Sequence, residues 1–322
     1  MKSWGVVWPA PGQVEIEERE VQEPGAGELL LEAERTLISP GTERAFLLNL
    51  PNTSGRYPQR PGYNFAGRVA AVGPGVEGFS TGQRVVAAAP HAAHAVARVD
   101  RVCPVPEGVE AEEAAFFNMG TISLQGVRRA RIEIGEMVAV IGQGLVGLLA
   151  AQFARLQGGV PILAVDPVEG RLAHSLRSGA DIALNPEGEP FKGFLEKPQV
   201  VIEATGAPEP INTALQLARP GGRVVLLAST RGETRVNFYR DVHRKGLVVL
   251  GAHNHARPGR QSIPGVWTWE EDCGAVLELL QRGRLQVGHL ITHRVPAREA
   301  PRAYGLLKEW DPGLIGVVLE WR

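Results

Sequence analysis

The chain has 322 residues, and at about 150 residues per domain its length suggests two domains. Hydrophobic residues make up 44% and charged residues 21% of it, which are ordinary globular values that exclude disorder as the main state. Lys and Arg number 34 and Asp and Glu number 35, so the net charge of -1 argues against nucleic acid or an anionic membrane as the main partner. Two cysteines exclude a disulfide framework and a four-cysteine zinc site.

The sequence also lacks membrane and export signals. No run of about 18 apolar residues is present, so no membrane span is predicted. The amino-terminal stretch has a short apolar run followed by acids, without the long apolar segment of a signal peptide. We therefore expect a cytoplasmic protein.

Before residue 110 the chain consists of short β-rich runs separated by Gly and Pro. Runs of this length between turn residues are typical of an all-β barrel or sandwich. Eight prolines are expected to keep continuous helices out of this region. The runs are GVVW, VEIEE, ELLLEAE, GRVAAVG and QRVVAAA, and the prolines are Pro9, Pro11, Pro24, Pro40, Pro58, Pro61, Pro74 and Pro90.

From Met137 the pattern changes to apolar strands that alternate with helices, which predicts a parallel sheet covered on both faces. The tail adds a helix, a strand, a short helix and a last strand, GVVLEW, that resembles the β-rich part. The predicted fold is therefore α/β, with a doubly wound parallel sheet inserted into a β-rich domain. We expect residues 1–118 and 288–322 to form the β-rich domain and residues 119–287 the parallel-sheet domain.

A glycine-rich turn joins the first parallel strand to the first helix. Gly142, Gly144 and Gly147 match the pattern G-x-G-x-x-G between the strand MVAVI and the helix LVGLLAAQFARL. The first glycine permits a tight turn, the second lets backbone approach a pyrophosphate, and the third lets the helix sit close to the strand. Leu145 and Val146 open the helix, whose free N–H groups attract phosphate. The alternative is a glycine-rich turn in another α/β fold.

Residues at the ends of later strands complete the predicted dinucleotide site. Asp166 ends the next strand, where a carboxylate accepts hydrogen bonds from the ribose 2′-hydroxyl and repels a 2′-phosphate, so NAD is favoured over NADP. Arg171 either contacts the adenosine side or is a solvated helix residue. Thr205 and Gly206 either face the nicotinamide half or cap a helix. The same two alternatives hold for Ala228, which ends a later strand.

The chain resembles the medium-chain dehydrogenase/reductase superfamily, the relatives of zinc alcohol dehydrogenase. The resemblance covers nearly the whole chain and implies a GroES-like β domain and a Rossmann domain, with the active site in the cleft between them. It also implies a small-molecule substrate and a homodimer or homotetramer that pairs through the strand GLVVLGA. Its carriers are GTERAF, YPQRPGYNFAGRVAAVGPGVEGFSTGQRV, AAFFNMGTISLQGVRRARIEIGE, IGQGLVG, AVD, ATGA and PGGRVVLLA.

The zinc positions of that superfamily are altered here. Zinc-binding members carry Cys-Gly-Thr-Asp where this chain has Pro40-Gly41-Thr42-Glu43, and Gly-His-Glu where it has Gly62-Tyr63-Asn64. Catalytic zinc needs three ligands of Cys, His or carboxylate type, which the replacements do not supply. The four-cysteine lobe for structural zinc is also missing, so we expect no zinc. The strings SPGTE and GY resemble the subgroup that includes bacteriochlorophyllide dehydrogenase.

Without zinc, side chains must hold the substrate oxygen and exchange its proton. Tyr63 stands at an altered zinc position and its phenol can donate to a carbonyl oxygen, although a pKa of about 10 makes tyrosine a poor base. His91 suits proton transfer better because histidine titrates near pH 6.5, at about neutral pH. Glu43 either orients one of these groups or forms an ion pair with Arg44 or Arg68. These three are the predicted catalytic residues.

The leading hypothesis is an NAD-dependent oxidoreductase that acts on an alcohol, a polyol or its carbonyl without zinc. The alternatives are a quinone or enone reductase of the same superfamily, against which Asp166 argues, and a non-catalytic NAD-binding sensor or partner protein. A further alternative is a three-histidine metal site built from the pairs His91/His94 and His253/His255, although no acid or cysteine completes either pair.

Overall fold

The computed structural model describes residues 1–322, which divide into two compact units. The β-rich unit comprises Met1–Asn118 and Cys273–Arg322, and the parallel-sheet unit comprises Met119–Asp272. The strands are β1 (Lys2–Val7), β2 (Glu15–Glu20), β3 (Glu28–Ile38), β4 (Phe65–Val72), β5 (Arg84–Ala87), β6 (His94–Arg98), β7 (Val102–Pro104), β8 (Val138–Ile141), β9 (Ile162–Val165), β10 (Ile182–Leu184), β11 (Val200–Glu203), β12 (Arg223–Leu226), β13 (Val248–Gly251), β14 (Ile291–Pro296) and β15 (Gly316–Glu320).

The α-helices lie mostly after residue 110, as the strand–helix alternation predicts. None of them is both long enough and apolar enough to span a membrane. They are α1 (Pro40–Leu47), α2 (Ala111–Ala114), α3 (Phe117–Ala130), α4 (Leu145–Leu156), α5 (Glu169–Arg177), α6 (Glu189–Lys192), α7 (Pro210–Leu217), α8 (Trp269–Gln281) and α9 (Ala300–Glu309).

In the β-rich unit a seven-stranded sheet has the order β14-β15-β3-β4-β5-β7, with β6 also paired to β3, and β1 and β2 form a separate ladder. The carboxyl-terminal strand β15 runs antiparallel to β3, with Val317 opposite Ile38. Leu29 and Leu31, two residues apart, lie on the same face of β3 and are completely buried, because that face of the sheet packs on the core. The last strand thus returns to the amino-terminal sheet, which confirms the prediction of an inserted parallel-sheet domain.

Helix α1 contradicts the expectation that prolines exclude helices from the first 110 residues. It begins at Pro40 and runs for eight residues. Proline is tolerated at the first helical position, where its missing N–H would have no intrahelical partner and its fixed φ suits the helix. Glu43 therefore lies in the first turn of a helix.

The parallel-sheet unit has the strand order β10-β9-β8-β11-β12-β13, and every neighbouring pair is parallel. This is the doubly wound order of dinucleotide-binding folds, in which ligands bind beyond the carboxyl ends of the strands where the order reverses. The reversal lies between β8 and β11. The residues of β8, β9 and β11 are buried throughout, as expected for a sheet covered on both faces.

The chain re-enters the β-rich unit between Asp272 and Cys273, within α8, rather than after residue 287 as the sequence predicts. Cys273, Val276 and Leu277 are almost completely buried, and their spacing puts them on one face of the helix. Helix α8 therefore contributes its apolar face from Cys273 onward to the β-rich unit. The periodicity of the sequence alone does not assign this face to either unit.

Candidate active site

The glycine turn lies between β8 and α4, and each glycine has a distinct physical reason. Gly142 adopts φ 90°, and a Cβ on it would come within 2.9 Å of the Thr205 nitrogen. A Cβ on Gly147 would lie 1.8 Å from the Gly142 carbonyl oxygen, so the helix could not sit where it does. A Cβ on Gly144 would meet no atom within 4 Å, which leaves open space beside the backbone where a pyrophosphate group fits.

The amino-terminal end of α4 offers hydrogen-bond donors to an anion. Gly144 caps the helix and no side chain accepts a bond from its first turn. Unpaired N–H groups and the positive end of the helix dipole favour a phosphate at such a position. Leu145 is buried while Val146 is partly exposed, and the Val146 carbonyl accepts a hydrogen bond of 3.0 Å from the Ser123 hydroxyl. The two residues therefore anchor the helix, and the backbone around Gly144 faces the open space.

Asp166 follows β9 and is tied to the glycine turn. Its Oδ2 accepts the Gln143 N–H at 2.7 Å and its Oδ1 accepts the Val168 N–H at 2.9 Å. A carboxylate has about four acceptor sites, so two donors leave capacity for ribose hydroxyl groups. Arg171 lies 3.9 Å from Asp166 and its side chain is only 16% exposed. The structure therefore places Arg171 beside the carboxylate and not in solvent.

Thr205 and Gly206 follow β11, and Ala228 follows β12 at the same end of the sheet. The Gly206 carbonyl accepts the Arg231 N–H at 2.9 Å, and the Ala228 N–H donates to the Glu203 carbonyl at 3.2 Å. These bonds join the ends of the two strands beside the reversal of strand order. An open glycine turn, the N–H groups of the first turn of α4 and a carboxylate with further acceptor capacity thus lie at one edge of the sheet, an arrangement that fits a dinucleotide.

In the β-rich unit, Glu43 is the centre of a buried hydrogen-bond network. Its side chain is 3% exposed. Its Oε1 accepts the Ser39 N–H at 2.8 Å, and its Oε2 lies 3.1 Å from His91 Nε2. The Tyr304 hydroxyl also donates to Oε2. A buried carboxylate is tolerated only with such donors, and here Glu43 has three.

The network continues from His91 through Thr36 to Trp321. Trp321 Nε1 donates to the Thr36 hydroxyl at 2.9 Å, and that hydroxyl lies 2.8 Å from His91 Nδ1. Indole can only donate, so the Thr36 hydroxyl accepts from it and is free to donate to Nδ1. A carboxylate can only accept, so His91 Nε2 donates to Glu43. Both ring nitrogens are thus engaged and His91 is completely buried, whereas the sequence predicts it as a proton-transfer residue.

Tyr304 is the functional neighbour that sequence reasoning missed. It lies in α9, 261 residues from Glu43, and carries no motif. Burial raises the pKa of its phenol well above the usual value, and the Glu43 carboxylate and the nearby Tyr63 add to this. Tyr304 therefore stays protonated and acts as a donor to Glu43.

Tyr63 is held between two residues that cannot move freely. A Cβ on Gly62 would lie 2.6 Å from the His91 nitrogen, and Gly62 adopts φ 105°. Asn64 is fully buried and its amide donates to the Leu37 carbonyl at 2.9 Å. The Tyr63 carbonyl itself accepts a bond of 3.0 Å from Asn118. The backbone of this partly buried tyrosine is thus fixed against the His91 network.

The residues at the superfamily's zinc positions do not fit a zinc ion. The side chain of Pro40 has no ligating atom. The Asn64 side chain is a neutral amide whose nitrogen donates to the Leu37 carbonyl and whose Oδ1 is buried without a partner. No group of three or more His, Cys, Asp or Glu side chains in the chain is arranged to hold a metal. Neither histidine pair changes this: His94 Nδ1 contacts the Ser3 hydroxyl, and His253 Nδ1 accepts the His255 N–H.

Comparison with known proteins identifies the family. Residues 26–116 match the alcohol dehydrogenase GroES-like domain, and residues 146–271 match the zinc-binding dehydrogenase domain. The chain belongs to the medium-chain dehydrogenase/reductase superfamily. It is an oxidoreductase of this superfamily, which confirms the resemblance and the enzyme class that the sequence predicts.

Two relatives match this dehydrogenase over at least 95% of its length. L-threonine 3-dehydrogenase of Pyrococcus furiosus is 28% identical over 345 residues, covering 95% of both chains. The 2-desacetyl-2-hydroxyethyl bacteriochlorophyllide A dehydrogenase of Cereibacter sphaeroides is 26% identical over 343 residues, covering 100% of this chain and 99% of its own.

Two solved structures show the same fold. An NADP-bound dehydrogenase of Sinorhizobium meliloti has a TM-score of 0.84 at 21% identity. An NADH-bound dehydrogenase, rspB of Escherichia coli, has a TM-score of 0.86 at 22% identity. Each covers 99% of both chains.

The two later glycines of the turn give a matched test of its packing. Gly147→Ala should lower the free energy of unfolding by about 3 kcal/mol, because the new methyl group overlaps the Gly142 carbonyl oxygen. Gly144→Ala should leave it unchanged or raise it by up to about 1 kcal/mol, because its φ of -74° suits alanine and the space is open. Urea denaturation followed by circular dichroism measures both. Equal losses in the two variants would contradict this account of the turn.

Proposed function

We propose that this dehydrogenase transfers hydride between an alcohol or polyol, or its carbonyl form, and NAD, without catalytic zinc. The observation that carries the proposal is the pairing of Asp166 with the open glycine turn. It is supported by relatives named for the oxidation of hydroxyl groups, such as L-threonine 3-dehydrogenase and L-galactonate-5-dehydrogenase. The substrate is a small molecule that carries such a hydroxyl group.

The cofactor is a nicotinamide dinucleotide, as the NADP- and NADH-bound structural neighbours support. The Gly144 turn and the first turn of α4 hold its pyrophosphate, and Asp166 holds the adenosine ribose through its remaining acceptor sites. Thr205, Gly206 and Ala228 lie at the nicotinamide side. Asp166 favours NAD because its charge repels a 2′-phosphate, and Arg171 stays paired to it.

A bound nicotinamide supplies the hydride acceptor or donor, and the chain's own residues handle the substrate oxygen and its proton. Tyr63 holds that oxygen, donating its phenol hydrogen to a carbonyl oxygen. His91 and Glu43 act as positioning residues, because both are buried and bonded to each other, and His91 packs against Gly62. This role replaces the proton transfer that the sequence predicts for His91.

We also propose that the enzyme is a homodimer that pairs through β13. This strand is the edge of its sheet, and Val248 and Val249 on it are 50% and 41% exposed. An exposed apolar edge strand is a template for pairing with another strand. A twofold axis would align the two β13 strands antiparallel and cover both edges at once.

Replacing Asp166 tests cofactor choice. Asp166→Asn keeps one acceptor oxygen for the turn but removes the negative charge, so the ratio of NADPH to NADH dissociation constants should fall at least tenfold. Calorimetric titration with each dinucleotide measures the ratio. The matched control is Asp181→Asn. Asp181 also accepts a backbone N–H and pairs with an arginine, but it lies just before β10 and not at the glycine turn. A wild type that prefers NADPH would contradict the proposal and favour the enone reductase alternative.

Replacing Tyr63 tests the catalytic role. Tyr63→Phe removes only the hydroxyl, so turnover on the best substrate from a panel of alcohols and polyols should fall at least tenfold with NADH affinity unchanged. Tyr57→Phe, which removes a hydroxyl bonded to the Phe46 carbonyl in the same unit, should keep its turnover. Steady-state kinetics after chelator treatment should match those of untreated protein. Loss of activity with chelator, or a fully active Tyr63→Phe, would overturn the mechanism.

A charge on the edge strand tests the dimer. Val249→Lys should shift the protein from dimer to monomer, because it places an ammonium group in the middle of the paired strands. Light scattering after size-exclusion chromatography measures the mass. Leu176→Lys changes a residue of similar exposure, 51%, on α5 of the same unit, and should leave the dimer intact. A monomeric wild type would contradict the dimer.

A further inference from the structure

Glu203 is a buried acid at the centre of the parallel sheet to which the proposed mechanism assigns no role. It is the last residue of β11, opposite Ile141 of β8 and Leu226 of β12. Its exposed fraction is 0%. An acid in the middle of a covered sheet is costly to bury, so its partners indicate what it does.

Its two carboxyl oxygens have unequal surroundings. Oε1 accepts the Thr205 N–H at 2.7 Å and also the Thr205 hydroxyl. Oε2 is buried and has no hydrogen-bond partner. The donors therefore come from the loop just after β11: Thr205 supplies two, and the neighbouring Gly206 backbone also interacts with the carboxyl group.

The loop that Glu203 holds lies directly against the glycine turn. The Thr205 hydroxyl accepts the Ala207 N–H at 3.0 Å, which extends the hold by two residues. A Cβ on Gly142 would lie 2.8 Å from Thr205 Cγ2, so Thr205 packs on the first glycine of the turn. Any movement of Thr205 therefore changes the surface on which the dinucleotide rests.

No charged group compensates Glu203 from the elements packed around it. Helix α7 has no charged residue. The one charged residue of β12, Arg223, lies opposite Val200 at the other end of β11 and pairs with Glu136. Strand β8 has no charged residue, and the acid nearest the turn, Asp166, is bonded to Gln143. Burial raises the pKa of Glu203, and hydrogen bonds from Thr205 and the Gly206 backbone oppose this only in part.

We propose that Glu203 is a positioning residue for the nicotinamide dinucleotide, which acts by holding Thr205 against the Gly142 turn. The inference rests on the proposed function, because it concerns the same cofactor. Oε1 can accept both Thr205 donors whether the carboxyl group is neutral or ionised, so the hold on the loop depends on the acceptor oxygen and not on the charge. Ionisation strengthens these two bonds but buries a charge without a counter-charge, which lowers the stability of the fold.

The sign of the pH effect follows from the raised pKa. Between the ordinary value of 4.5 and the raised value, the folded protein binds more protons at Glu203 than the unfolded chain does. Stability contributed by the neutral acid is therefore lost as the pH rises through that window. Dinucleotide affinity should not follow this loss, because Oε1 accepts both Thr205 donors whether the acid is neutral or ionised.

The test compares the NADH dissociation constants of the wild type, Glu203→Gln and Glu203→Ala from pH 5 to pH 9 by fluorescence titration. Glu203→Gln keeps an acceptor for Thr205 but cannot ionise. Glu203→Gln should therefore bind NADH within about twofold of the wild type at every pH. Glu203→Ala, which has no acceptor, should bind NADH at least tenfold more weakly at every pH. The unfolding midpoint without NADH should also fall with pH in the wild type relative to Glu203→Gln.

Glu187→Gln is the control, since it removes an exposed acid of the same unit and should follow the wild-type profile. A wild-type dissociation constant for Glu203→Ala, or one for Glu203→Gln as weak as that of Glu203→Ala, would overturn the inference while leaving the proposed function intact. A wild type that does not bind NADH would instead overturn the proposed function, and this inference with it.

Discussion

Loss of water from a carboxylate is the constraint on which both candidate sites depend. Glu43, Asp166 and Glu203 are 2%, 3% and 0% exposed, and an acid at such a depth needs donors from the protein. Each finds them in backbone N–H, hydroxyl or imidazole groups, some local and some distant in sequence. The buried acids therefore fix helix α1, the glycine turn and the loop after β11.

The two units meet this constraint in different ways. Glu43 recruits donors that are distant in sequence, from His91 and Tyr304, and so ties together α1, the segment before β6 and α9. Asp166 and Glu203 use donors within or beside their own loops. The β-rich unit is thus held around Glu43 by long-range side-chain contacts, while the strand ends of the parallel-sheet unit are arranged mainly by local bonds.

Hydrogen bonds connect the segments that carry the altered zinc positions. A zinc ion cross-links distant segments through charged or imidazole ligands, and in this chain Pro40, Tyr63 and Asn64 cannot do so. The hydrogen bonds around Glu43 connect α1 to His91, and Gly62 packs on His91 beside Tyr63. Tyr63 consequently has a defined place although it has no ion to coordinate.

The sequence alone determined the features that are local along the chain: the glycine turn, Asp166 at the end of the next strand, and the parallel sheet inserted into a β-rich domain. These follow from backbone geometry and from the period of apolar residues, both of which act over a few residues. Only the tertiary structure decided that His91 is buried against Glu43, and that Tyr304 completes the network from 261 residues away. Folding sets which distant donors reach a buried acid, and no local pattern encodes that choice.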